Sequence, residues 1–201
     1  MFGRSHSVRL VLIGLAIVAL GHTGTLAQTR ATAAPAEGSK HDFDFLLGNW
    51  EFIAESKLPG VPPKYPGRWT GERTGAGAIV EDDFIVTDDQ GVRRYLGITL
   101  RAFDAKTKQW TTAFVVPPGA KWSVGRAWRE GNEIAEGSDD ATSGKRARFL
   151  DIAPDHFTWS MEQSNDGGKT WANMVRVQAT RVAGSPQADT ALSPARIPAS
   201  K

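Results

Sequence analysis

The chain has 201 residues, no cysteine, and 24 Lys and Arg against 22 Asp and Glu. Without cysteine, disulfides, thiolate metal sites and a lipidated N-terminal cysteine are excluded, so the core alone must hold the fold. Arg4 and Arg9 account for the whole net charge of +2; the rest is balanced, and neither nucleic acid nor an anionic membrane is expected as a partner.

Residues 1–27 read as a signal peptide. Arg4 and Arg9 form a basic start, and the apolar run Leu10 to Leu20 is shorter than the ~20 residues of a membrane span. Thr25-Leu26-Ala27 then offers small residues at a cleavage point. The expectation is an exported protein, periplasmic or secreted, with no membrane anchor after cleavage. Residues 28–40 and 183–201 are rich in Ala, Ser, Thr and Pro and read as a disordered linker and tail. Residues 41–182 remain, enough for one domain with a substantial core.

That domain opens on His41-Asp42-Phe43-Asp44-Phe45-Leu46-Leu47-Gly48-Asn49-Trp50-Glu51-Phe52. Asp42 to Leu47 predicts a short helical turn, with Asp42 or Asp44 as its cap and Gly48 supplying the positive φ that ends it. Beyond it, segments rich in Trp, Phe, Val, Ile and Thr alternate with Gly, Asp, Asn and Pro punctuation, and no long helical period appears. The strands predicted are Asn49 to Lys57, Gly67 to Thr74, Ala78 to Val86, Val92 to Phe103, Gln109 to Val116, Lys121 to Arg129, Glu133 to Gly137, Lys145 to Ile152, His156 to Ser164 and Thr170 to Arg181. Sequential hairpins of this number close most economically on themselves, because closure removes exposed edges. The fold class is therefore all-β, an antiparallel up-and-down barrel of about ten strands.

All seven tryptophans lie between Trp50 and Trp171. Alternation places Trp122, Val124, Arg126 and Trp128 on one face, Phe157, Trp159 and Met161 on another, and Trp110, Thr112 and Phe114 on a third. Such rings either fill a barrel or line a ligand cavity. Tyr95, Thr99 and Arg101 share a face with Phe103, Arg148 with Leu150 and Ile152, and Glu81 with Ile79 and Ile85. If the aromatic faces turn inward, Arg126 is a buried cation that needs a carboxylate or an anionic ligand. If they turn outward, it lies along the Trp rings in solvent. The inward option makes Arg126, Trp122, Trp128, Tyr95, Trp159, Glu81 and Arg148 the candidate ligand-binding set. The ligand expected is a small hydrophobic or amphipathic molecule, a carboxylate-bearing one among the options.

No cofactor or metal is expected. His41 and His156 are the only histidines after residue 27, with no partner at ligand spacing. Asp82-Asp83, Asp88-Asp89 and Asp139-Asp140 read as solvated carboxylates at turns or strand edges. Two alternatives to a binding module stand. One is a filled barrel recognised through its surface. The other is a lipid- or isoprenoid-modifying enzyme using Glu81, Tyr95 or His156 as acid or base.

Gly48-Asn49-Trp50 resembles the opening motif of lipocalins and calycins. The longer run from His41 is similar to the start of a family of bacterial exported lipocalin-like proteins of unestablished function. Asp104-x-x-Thr107-x-x-Trp110 and Ser164-x-Asp166-Gly167-Gly168-x-Thr170-Trp171 are similar to two further segments of that family. The resemblance implies that Trp50 plugs the closed end of the barrel against a late arginine, Arg181 before Arg176. It implies no catalytic residue. Ser164 to Trp171 also matches the Asp-box of sialidase propellers, but it occurs once, in a chain too short for a propeller. It reads as a structural hairpin turn in which Asp166 binds the turn backbone and Trp171 packs beneath. Gly48, Trp50, Arg181, Asp166 and Trp171 are thus expected to be structural.

Overall fold

A computed structural model describes residues 37–184 except 89, 118, 120 and 139–143. The expected signal peptide, residues 28–36 of the expected linker and residues 185–201 of the expected tail lie outside the described residues; the described end of the linker is bonded to the barrel through Gly38 N and the Ser39 and Lys40 carbonyls. Ten strands form a closed antiparallel barrel: β1 (Gly48–Ser56), β2 (Lys64–Thr74), β3 (Ile79–Thr87), β4 (Arg93–Asp104), β5 (Gln109–Val115), β6 (Trp122–Glu130), β7 (Glu133–Ser138), β8 (Lys145–Leu150), β9 (His156–Gln163) and β10 (Ala172–Arg181). Each strand pairs with its neighbours in sequence, and β1 closes the ring against β10.

The all-β expectation and all ten strands are met. The largest departure is in β2, which begins at Lys64 and runs through Pro66, in a stretch read as loop. Proline has no N–H to give a ladder. The β3 ladder starts only at Gly67, so Pro66 sits where β2 pairs with β1 alone.

The opening segment closes one end of the barrel. A 3-10 turn at Asp44–Leu46 drives Phe43 and Leu46 into the interior, where both are fully buried. Phe43 meets Trp110 and Phe149 edge-on at 5.0 and 5.9 Å, and Phe45 meets Phe157 at 5.5 Å. Neither aspartate caps the turn; Phe43 holds the N-cap position without a side-chain bond. Instead both carboxylates reach sideways to the barrel wall. Asp42 accepts from Arg129 Nε at 2.6 Å and from Trp110 Nε1 at 3.3 Å. Asp44 pairs with Arg73 and with His41 Nδ1. Arg181 donates to the carbonyls of Phe45, Leu47 and Pro154 at 2.9, 2.6 and 2.6 Å, and its guanidinium lies 4.0 Å from the Trp50 ring. Three arginines, from β2, β6 and β10, therefore clamp the plug.

Two glycines make the fit possible. Gly48, at φ 105°, swings the chain from the plug into β1. At Gly71 a Cβ would stand 2.3 Å from the Leu46 carbonyl oxygen, so only glycine lets the plug lie against β2.

In both hairpin motifs the aspartate bonds to its own turn. Asp104 accepts from Lys106 N, Thr107 N and the Thr107 hydroxyl. Asp166 accepts from the Thr170 hydroxyl, Thr170 N, the Ser164 hydroxyl and Lys169 N, while Trp171 Nε1 donates to the Gly168 carbonyl. These bonds, the Thr170 hydroxyl first, hold the Asp166 carboxyl at about 2 rather than 3.8. A lowered carboxyl stabilises the fold fully above its unfolded value and loses that contribution as pH falls through the folded one. In a carboxylate NMR titration Asp166 should therefore show a midpoint at about 2, whereas an ordinary midpoint would mean that the turn is open in solution.

Candidate functional site: the barrel lumen

Strand register decides which side chains face inward. Trp50 opposes Trp69, Trp69 opposes Phe84, Phe84 opposes Gly97, and so on around the ring. The inward set at the plugged end is sealed: Trp50, Val80, Trp110, Ile134, Phe149 and Phe157 are all buried. The other half is not. Phe84, Thr99, Glu136, Trp159 and Met161 point inward at mid-barrel yet keep some exposure. Inside a closed wall such a side chain meets solvent only through a lumen. Towards the end opposite the plug exposure rises, with inward Tyr95 and Phe114 at 38% and 36%.

The lumen has two unlike walls. Strands β9, β10 and β1 to β3 contribute Trp159, Val177, Phe52, Trp69 and Phe84. Phe52 stacks on Phe84 at 4.6 Å, and Trp69 meets Trp159 at 5.9 Å. At mid-barrel, strands β4 to β7 turn small or polar residues inward instead: Gly97, Thr99, Arg101, Thr112, Ser123, Gly125 and Glu136, between Tyr95 and Phe114 at the mouth and Phe103, Trp110 and Ile134 at the plug.

A charged cluster lies where the polar wall meets the plug. Arg101 pairs with Asp82 through Nη1, and with Glu136 through Nε at 2.5 Å and Nη2 at 3.3 Å. Asp82 also accepts from Trp69 Nε1 at 2.7 Å. The guanidinium lies 4.8 Å from the Phe43 ring, which places it on the plug. Arg101 is 1% exposed and the Glu136 side chain 12%, so Glu136 is the member that reaches the lumen. Two carboxylates share one guanidinium, and the cluster carries a formal negative charge. Near the mouth, burial raises the Tyr65 and Tyr95 hydroxyls, and the neighbouring Tyr65 raises Tyr95 further; both remain neutral donors and acceptors at physiological pH.

The sequence-based ligand set divides. Tyr95 and Trp159 line the lumen. Trp122, Arg126 and Trp128 do not, because β6 turns Ser123, Gly125, Ala127 and Arg129 inward and its aromatic face to solvent. Glu81 and Arg148 are likewise on the outer wall; Arg148 pairs there with Glu133 and Glu130. His156 is exposed beside Asp155, so Glu81, Tyr95 and His156 do not converge on one site. Asp82, read as a solvated carboxylate, is one of the most buried polar residues. The cluster was missed because its members come from three separate strands. The one legible sign was the inward alternation of Tyr95, Thr99, Arg101 and Phe103. Among the described residues, no three His, Asp or Glu side chains are placed to hold a metal.

No family model and no curated protein matches the chain. Among solved structures, that of Rv2717c from M. tuberculosis superposes with a TM-score of 0.49 at 14% identity, covering 69% of this chain and 93% of its own.

Proposed function

We propose that this is an exported, lipocalin-like barrel that holds a small amphipathic molecule in its lumen, entered from the end opposite the plug. The observation that carries this reading is the asymmetry of the interior: one end is packed shut by aromatic rings, while inward Trp159, Phe84, Tyr95 and Phe114 stay accessible. An apolar body lies against the aromatic wall, the usual lining of a small-molecule pocket. The polar group it presents to β4–β7 is a hydrogen-bond donor, such as an ammonium, amide or hydroxyl. Arg126 is outside, Arg129 turns inward onto Asp42 of the plug, and Arg101 is already taken by two carboxylates, so a ligand carboxylate meets like charge at Glu136.

Tryptophan emission titrated with a long-chain amine, alcohol and carboxylic acid of equal length tests this. The amine and alcohol should give a saturable change, the acid at least about tenfold weaker, and Trp159→Phe should remove most of the signal. Absence of any saturable change, or tighter binding of the acid, would overturn the reading.

A further inference from the structure

Glu136 stands in a gap of the inner wall. Its register partners are Ala127 of β6 and Ala147 of β8, and Gly125 is the next inward residue of β6 toward the mouth. Small neighbours on both sides leave the carboxylate room toward the lumen, where its side chain keeps 12% exposure. Arg101 donates once to each carboxylate oxygen, to Oε1 through Nε and to Oε2 through Nη2. A carboxylate has about four acceptor positions, so the lumen side of Glu136 can still accept. Thr112 lies on the same wall, opposite Arg101 of β4 and Gly125 of β6, and brings a hydroxyl that can also accept.

Aromatic rings form the other side of the same space. Trp69 joins the two sides: its Nε1 donates to Asp82 at 2.7 Å, and its ring meets Phe84 at 5.2 Å and Trp159 at 5.9 Å. Phe84 and Trp159 lie 6.1 Å apart, and both are half-buried. Elsewhere the rings take the protein's own arginines: Arg101 lies over Phe43, Arg181 over Trp50 and Arg146 over Trp171. Among the described residues, no cation of the protein lies over Phe84 or Trp159. The inward cations below the mouth are engaged, Arg101 by its two carboxylates and Arg73, Arg129 and Arg181 by the plug. Lys145, which alternation turns inward at the mouth, has an interaction of its own.

We propose that the ligand of this lumen is a long-chain alkylammonium, whose protonated amine sits between Glu136 and the Phe84 and Trp159 rings. The assignment rests on the lumen reading above and names the class of molecule within it. The N–H groups of a primary ammonium match the Glu136 carboxylate and the Thr112 hydroxyl. Its charge offsets the excess of two carboxylates over one guanidinium, and the π-systems of the rings attract it. A hydroxyl would make one of these hydrogen bonds but would bring no charge to the cluster and nothing to the rings. The hydration an ammonium loses on entry is offset only where a carboxylate and further acceptors meet it, as they do here. From Arg101 to Tyr95 β4 climbs about 20 Å of strand, which gives the tail its length along Phe84, Val86 and Tyr95.

Isothermal titration calorimetry with decylamine and decanol tests this at neutral pH, where an alkylamine is protonated, each probe kept below the concentration at which it aggregates. Decylamine should bind at least about tenfold tighter than decanol. Glu136→Gln keeps the shape and an acceptor for Arg101 but not the charge, and should bring that preference to within about threefold. Phe84→Leu leaves the ion cluster intact and should weaken decylamine at least about threefold; it carries the test if circular dichroism shows that Glu136→Gln does not fold. Equal binding of the two probes by the wild type, a preference that survives Glu136→Gln, or decylamine binding indifferent to Phe84→Leu overturns the ammonium assignment and leaves the open lumen standing. Binding of neither probe overturns the lumen reading itself and the assignment with it.

Discussion

Arg101→Met should be among the most destabilising single substitutions in the barrel, at about 3–5 kcal/mol in urea unfolding. The arginine is 1% exposed and is held by Asp82 and Glu136. Methionine keeps most of its volume, so the loss is electrostatic: two carboxylates are left facing each other with no cation between them. A companion variant, Arg101→Met with Asp82→Leu and Glu136→Met, removes all three charges and should recover most of the lost stability, because a buried ion cluster contributes little net stability over apolar packing. A small loss in the single variant, or none recovered in the triple, would show that the cluster is hydrated rather than buried.

The strands were legible because their ends carry chemistry. Asp104 and Asp166 fold back on their own turns, and glycine and proline mark most of the remaining breaks. The plug was legible in outline, from Gly48 and Trp50, and Arg181 does sit on Trp50. The use of Asp42 and Asp44 was not, because their partners Arg129 and Arg73 lie 87 and 29 residues away. The sense of alternation was the main loss. A period of two separates two faces but does not say which is inside. Assigning the apolar face inward succeeds for β1, where Trp50, Phe52 and Ala54 are buried. It fails for β6, where Gly125 and Ala127 are the buried positions and Trp122 is exposed. That inversion misplaced Trp122, Arg126 and Trp128 and concealed both a polar lumen wall and an apolar outer face.

Phe43→Ala tests how the plug is held. Phe43 is fully buried among Trp110, Phe45, Phe149 and the Arg101 guanidinium. Truncating it should cost about 3–5 kcal/mol, the transfer loss plus a cavity that the rigid wall cannot close. Plug release and simple cavity formation differ in the slope of the unfolding curve. If the segment left the barrel, the native state would already expose apolar surface and the slope would fall. Arg73, Arg129 and Arg181 grip Asp44, Asp42 and the Phe45 and Leu47 carbonyls without involving the Phe43 ring. The expected result is therefore a lower midpoint at unchanged slope, with the lumen still closed at that end. Replacing the three arginines by alanine while keeping Phe43 should do the reverse, loosening the segment, lowering the slope and exposing Trp110 to a soluble quencher. A lowered slope in Phe43→Ala itself would instead place the grip in the aromatic cluster and reduce the arginines to surface pairs.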